Sequence, residues 1–211
     1  METLVLAVDS VNPEHDLMER AGDAIRRGEL VAFPTETVYG LGADAFNRQA
    51  VARIYEVKGR RTSNPLPVQI ASIADVPKLA REVTGLARRL MEAFFPGPLT
   101  LVLHASPDLP EMVTAGTGKV GIRMPDHPVA LALIREAGTP IVVPSANTSG
   151  HPPPTTAEEV LAYLSGKIEL VLDAGPTRLK VVSTVVDVTE TLPRILRQGS
   201  ITEEALSSYL K

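Results

Sequence analysis

Three segments of this 211-residue chain hold residues able to do chemistry: Pro34-Thr35-Glu36-Thr37-Val38-Tyr39-Gly40-Leu41-Gly42, Lys58-Gly59-Arg60, and Ser145-Ala146-Asn147-Thr148-Ser149-Gly150. Each follows apolar residues and presents hydroxyl, amide or cationic donors, the kind of set that holds an anion at the strand ends of an open α/β sheet. The implied chemistry is recognition of phosphate or carboxylate. Two arginines add to it. Arg123 lies in Val120-Gly121-Ile122-Arg123-Met124-Pro125, an otherwise apolar strand, and Arg197 in Ile195-Leu196-Arg197-Gln198-Gly199 poses the same question. An arginine there is expensive to bury unless it is paired or faces a ligand.

Other chemistries are excluded or disfavoured. With no cysteine there is neither a disulfide framework nor a thiolate zinc site, and His15, His104, His127 and His151 show no metal-ligand spacing. Gly40-x-Gly42-x-x-Ala45 matches a dinucleotide fingerprint only on paper, because the first glycine is not at the strand end and no helix opens at once. Gly116-Thr117-Gly118-Lys119 lacks the earlier glycine and the following Ser/Thr of a phosphate loop, so it reads as a hairpin turn. Ser145 has no nucleophile elbow and no nearby base. Its segment could be a simple turn, but Pro144 fixes the approach and favours a binding loop. The Lys58-Gly59-Arg60-Arg61 cluster could be a solvated helix end, although Thr62-Ser63-Asn64-Pro65 would hold it at a sheet edge.

The elements that must position these residues follow from periodicity and caps. A strand is expected over Thr3 to Val8, then a helix opened by Asn12-Pro13 with Leu17, Ala21, Ala24 and Ile25 on one face. Leu30 to Phe33 reads as a buried strand. A Gly/Thr-rich loop and a second helix carrying Val51, Ile54 and Tyr55 follow, ending at Gly59. Further strands are expected at Pro67 to Ile70, Leu99 to Leu103, Val120 to Met124, Ile141 to Val143, Leu170 to Leu172, Val185 to Val188 and Arg194 to Leu196. Helices fall at Leu86 to Phe95, Pro128 to Ala137 after Asp126, and Ala157 to Leu164 after a Thr156-x-x-Glu159 capping box. A second box, Ser200-Ile201-Thr202-Glu203, opens a terminal helix. The sum is one α/β domain over residues 1–211 with a mixed sheet. Met1 to Asp9 lacks the basic start of a signal peptide and no run reaches membrane-spanning length, so a cytoplasmic protein is expected. A formal net charge of -4 argues against coating nucleic acid by bulk charge but leaves room for a local basic cleft.

Six blocks in order carry a resemblance: Pro34 to Gly42; Lys58-x-Arg60 with Asn64-Pro65-Leu66; Phe95-Pro96-Gly97-Pro98-Leu99-Thr100; Val120 to Pro128; Pro144 to Gly150; and Ser183-Thr184-Val185-Val186-Asp187. Together they resemble the YrdC-type L-threonylcarbamoyladenylate synthases in their single-domain form. The resemblance implies a twisted mixed sheet flanked by helices with a concave electropositive face. It also implies formation of threonylcarbamoyl-AMP and pyrophosphate from L-threonine, bicarbonate and ATP, for N6-threonylcarbamoyl modification of adenosine 37 in tRNA. On it, Lys58 and Arg60 are the catalytic cations on the ATP phosphates. Asn64, Ser145 and Asn147 lie by the nucleotide, and Arg197 by its phosphate or ribose side. Thr35, Tyr39, Arg123 and Ser183, with Thr37 a further candidate, surround threonine, Arg123 facing its carboxylate.

Two departures stand out. Arg61 replaces the proline common after the Lys-x-Arg pair, and Gln69 stands where many members carry histidine. Ending at Lys211, the chain is expected to lack the additional C-terminal domain of longer members. Magnesium is expected with ATP, its protein ligands open among Glu36, Asp44, Asp173 and Asp187, with no zinc and no organic cofactor. No general base is assigned. Expected partners are tRNA or the downstream threonylcarbamoyl-transfer machinery, with no membrane. Two other readings stay open: a noncatalytic RNA-binding module, disfavoured by 4% aromatic content, and a paralogous nucleotide or carbamoyl-phosphate hydrolase.

Overall fold

Strand residues of alternate parity divide between two cores. Val31 and Phe33 pack into one and Leu30 and Ala32 into the other, because helices lie on both faces of the sheet here. The structure is a computed structural model describing residues 2–210. Its first half runs β1 (Leu4–Ala7), α1 (His15–Arg26), β2 (Val31–Pro34), β3 (Tyr39–Asp44), α2 (Arg48–Lys58), β4 (Val68–Gln69), α3 (Val76–Leu79), α4 (Gly85–Phe94) and β5 (Leu99–His104). Then follow α5 (Glu111–Thr114), β6 (Lys119–Arg123), α6 (Pro128–Ala137), β7 (Ile141–Val142), α7 (Ala157–Leu164), β8 (Leu170–Asp173), β9 (Thr184–Asp187), β10 (Arg194–Arg197) and α8 (Glu203–Ser207). The strands form one mixed sheet in the order β1-β8-β2-β3-β7-β4-β6-β5-β9-β10. Parallel pairs are β1 with β8, β8 with β2, β4 with β6 and β5 with β9.

Helices α1 and α6 lie together on one face, burying Met18, Ile25, Val129 and Leu133 against Val31, Phe33, Ile141, Val143 and Leu172. The other face is covered by α2, α4 and α7 through Ile54, Leu90 and Val160. Beyond β7 the first face opens into a cavity, and that opening positions the site.

Several expectations give way to local geometry. Tyr39–Asp44 is a strand, not a loop. Gly40 and Gly42 mask it, and both are required by close packing: a Cβ on Gly40 would stand 2.3 Å from Val143 Cγ1, and one on Gly42 2.8 Å from Phe33 Cε1. Asn12 does not cap α1, because its N–H and that of Val11 donate to Asp9 Oδ1 in a turn of their own. Glu14 stands at the N-cap instead. The N-cap of α6 is His127, Asp126 being paired with Arg178 at 2.7 Å. Thr202, not Ser200, caps α8 by accepting from Ala205 N at 3.2 Å. The Thr156 cap of α7 forms, but Glu159 Oε2 accepts from Thr155 N rather than closing the box on Thr156. Gly116 to Gly118 joins α5 to β6 and so is no hairpin turn.

Candidate active site

The cavity occupies about 390 Å³ over β4, β6, β5 and β9. Period-two alternation selects its lining. Lys119, Gly121 and Arg123 of β6 face it while Val120 and Ile122 enter the core; Thr100 and Val102 of β5 face it while Leu99, Leu101 and Leu103 do not. Arg60, Lys119, Arg123 and Arg197 supply positive charge to its wall, against one lining carboxylate, Asp187, among the described residues.

Arg123 is 6% exposed. Its Nη2 stands 2.6 Å from Oε2 of the equally buried Glu36, and its Nε donates to Gly97 O at 3.2 Å. The contact with Glu36 is an ion pair without a well-aligned hydrogen bond, so both charges are compensated but not saturated. The Phe95 to Thr100 block thereby acquires a structural role: Gly97 N donates to Met124 O and Pro98 O accepts from Thr184 N, tying β5, β6 and β9 together at Arg123.

Arg197 reaches across β9. Its Nε and Nη2 donate to Ser183 O at 3.1 and 2.8 Å, and Nη2 also to Ser183 Oγ at 3.0 Å, while that hydroxyl shares a 2.8 Å bond with Thr100 Oγ1. Gly199 makes this approach feasible, since a Cβ there would stand 2.3 Å from Val182 O. Arg60 donates to Asn64 O and Pro65 O at 3.2 and 2.9 Å. Burial lowers the pKa of both arginines, which nonetheless remain charged. Neither has a carboxylate partner among the described residues, leaving these two guanidinium charges for an anion.

Lys119 and Asp187 form a pair that the sequence reading did not identify, 3.0 Å apart on the cavity wall. Burial opposes the Asp187 charge, but bonds from Thr189 and Lys119 outweigh it and hold the carboxyl below its ordinary pKa. Their separation in sequence hides the pairing. Only the adjacency of β6, β5 and β9 creates it.

Of the residues singled out from sequence, Thr35, Arg60, Arg123, Ser145, Ser183 and Arg197 line the cavity, and Thr37 joins them. The Thr35 hydroxyl is spent on its own turn, donating to Val38 O at 2.7 Å. The side chains of Tyr39, Lys58, Asn64 and Asn147 are not part of the wall. Lys58 is 1% exposed and reaches behind the Ser145 loop, its ammonium donating to Ser145 O and Asn147 O. Asn147 Nδ2 closes that loop onto Thr148 O and His151 O at 2.9 and 2.8 Å. Asn64 contributes its carbonyl, which receives bonds from Tyr55 and Arg60. Thr184, neighbour of Ser183, points into the core, its hydroxyl donating to Ile201 O at 2.7 Å.

Tyr39 faces the opposite core and donates its hydroxyl to Gly175 O at 2.7 Å. Burial, then the Asp173 charge, push its pKa far above the phenol range. Tyr39→Phe should therefore cost about 1 kcal/mol in urea unfolding and leave substrate affinities nearly unchanged. A severalfold weaker affinity for a carboxylate ligand alone would place the hydroxyl at the ligand.

The Sua5/YciO/YrdC family model, described as telomere recombination, matches residues 23–199. The chain belongs to this family. Against the threonylcarbamoyl-AMP synthase of Bacillus subtilis, this Sua5/YciO/YrdC chain is 49% identical over 203 residues, covering 96% of itself and 59% of that protein. It thus spans about six-tenths of that relative's length. A putative threonylcarbamoyl-AMP synthase of Mycobacterium tuberculosis is 44% identical, with 89% of this chain and 86% of that one covered. The structure of Pyrococcus abyssi Sua5 complexed with L-threonine superposes with a TM-score of 0.96 at 46% identity, covering 99% of this chain and 61% of that one. Escherichia coli YciO shares the fold, with a TM-score of 0.88 at 23% identity and coverage of 96% and 98%.

Proposed function

We propose that this chain is an L-threonylcarbamoyladenylate synthase. The observation that supports it most is a single cavity joining a buried, hydroxyl-flanked arginine (Arg123 with Ser183) to two arginines without carboxylate partners, Arg60 and Arg197. The family relationship, and the L-threonine held by the P. abyssi relative, supply the substrates for that arrangement. Arg123 takes the threonine carboxylate while Arg60, Arg197 and Ser145 take the polyphosphate. Lys58 and Asn147 act from behind, holding the Ser145 loop. The threonine amine adds to bicarbonate to give a carbamate, with loss of water. A carbamate oxygen then attacks the α-phosphorus, and pyrophosphate leaves with the electron pair. Such a transfer asks the protein for positioning and charge stabilisation, not a covalent intermediate.

A protein-held magnesium does not fit this wall. The one carboxylate on it among the described residues, Asp187, is already engaged, Oδ2 by Lys119 and Oδ1 by Thr189, whereas magnesium beside phosphates takes at least one free carboxylate from a protein that holds it. The ion accompanies ATP on its phosphates. We place the product in modification of adenosine 37 of tRNA and the protein in the cytoplasm. Among the described residues no helix is long and apolar enough to cross a membrane.

The test is pyrophosphate release from magnesium-ATP with and without L-threonine and bicarbonate. Release should require both. Equal release from ATP alone would identify a hydrolase, and no release with strongly salt-dependent RNA binding would identify an RNA-binding module.

Substrate selectivity supplies a second expectation. Thr184 and Tyr39 being turned away, the substrate is read by the lining hydroxyls of Thr37, Thr100 and Ser183, each of which keeps bonding capacity beside its contacts with Thr35, Ser183, Thr100 or Arg197. Serine lacks only the methyl of threonine, so its kcat/KM should fall by roughly 10–200-fold. Valine, which leaves the hydroxyl's buried partners unpaired, should fall further. Parallel kcat/KM measurements decide it: valine equal to serine would rule out hydroxyl recognition.

A further inference from the structure

Arg60 opens a segment, continuing through Arg61 to Pro65, that is largely exposed and belongs to no helix or strand, yet its guanidinium is held in one direction. Nε donates to Asn64 O at 3.2 Å and Nη2 to Pro65 O at 2.9 Å, while Nη1 makes no hydrogen bond among the described residues. Tyr55, near the end of α2, brackets this segment. Its carbonyl accepts from Arg60 N at 2.9 Å, and its hydroxyl stands 3.0 Å from Asn64 O. Asn64 O is thus a shared acceptor, with the phenol on one lone pair and Arg60 Nε on the other. Met112 O of α5, 2.9 Å from the same hydroxyl, competes for its single proton. Tyr55 is 4% exposed and forms no part of the cavity wall.

A core tyrosine needs one partner for its hydroxyl, and Met112 O alone would supply it. The contact with the carbonyl that also holds Arg60 is what links this side chain to the site. We infer that Tyr55 is a positioning residue for the phosphate end of the nucleotide, its hydroxyl fixing the Asn64 carbonyl and through it the direction of the Arg60 guanidinium. An arginine on an exposed segment otherwise has rotamers to lose when an anion binds, and fixing it beforehand removes that cost. Burial raises the pKa of the phenol, Arg60 opposing this, so the group remains a donor at neutral pH. Lys58, one turn further along the same buried face of α2, clasps the Ser145 loop. The end of a single helix thereby sets both walls proposed to meet the polyphosphate. The assignment rests on the synthase reading and deepens it.

The test is calorimetric titration of the chain with magnesium-ATP and with L-threonine, beside urea unfolding. Tyr55→Phe keeps the ring in the core and removes only the hydroxyl. It should weaken magnesium-ATP roughly 3–10-fold, the scale of one hydrogen bond, and leave L-threonine within about twofold. In an Arg60→Met background the same change should alter magnesium-ATP affinity by less than about twofold, because the group it acts through is gone. A lowered urea midpoint with unchanged magnesium-ATP affinity would make the hydroxyl structural and overturn the inference. Equal weakening of both ligands, or an equal loss with and without Arg60, would overturn it too. An unaltered chain that binds no magnesium-ATP overturns the synthase reading itself and the inference with it, an outcome distinct from those.

Discussion

Glu36→Ala should lower the unfolding free energy by about 3–5 kcal/mol, the cost of stranding one member of a buried ion pair. Glu36 is 1% exposed and stands 2.6 Å from Arg123, itself held on β6 with its Nε on Gly97 O. The guanidinium cannot withdraw to bulk water without leaving that bond, so removing the carboxylate leaves an uncompensated charge in a low-dielectric wall. The effect arises from the side chain, since the Glu36 carbonyl still accepts from Leu179 N at 2.8 Å. Glu36→Gln, which keeps an acceptor, should cost less. Urea unfolding of the three proteins makes the comparison, and a loss below about 1 kcal/mol for alanine would mean that the cavity solvates Arg123.

Lys58→Met should reduce turnover by on the order of a hundredfold, comparable to removal of a preorganised electrostatic donor, even though the ammonium does not line the cavity. Its two bonds fix the carbonyls of Ser145 and Asn147, and its own carbonyl accepts from Ser149 N at 2.8 Å, so the loop beside the proposed phosphate site is clasped from behind. Burial, reinforced by Arg60, lowers its pKa from the ordinary 10.5 to about 7. Between those values the unfolded chain binds more protons than the folded one, so stability contributed at this site rises with pH from about 7 to about 10.5 and is least below 7. Relative to Lys58→Met, the unaltered protein should therefore gain up to about 1.4 kcal/mol per pH unit in that window. Urea melts at several pH values test this. A difference independent of pH would mean that the ammonium keeps its ordinary pKa, and wild-type turnover in the variant would remove Lys58 from the site's support.

The sequence by itself determined the elements whose signals are local. Helices α6 and α7 run over the expected Pro128 to Ala137 and Ala157 to Leu164, because a first-turn proline, a threonine cap and a 3.6-residue apolar period act within one or two turns. Of the residues singled out by motif and by family resemblance, Arg60, Arg123, Ser145, Ser183 and Arg197 do line one cavity. Tertiary structure decided direction. A strand residue's face is set by parity in the sheet, so Ser183 reaches the cavity while Thr184 enters the core, and Gly40 faces it while Tyr39 turns to Gly175. Tertiary structure alone also paired Glu36 with Arg123 and Asp187 with Lys119, and sent Lys58 behind a loop that lies far from it in the chain. Those contacts depend on which strands become neighbours, and that is settled by burying the whole apolar surface at once, which no short window of sequence records.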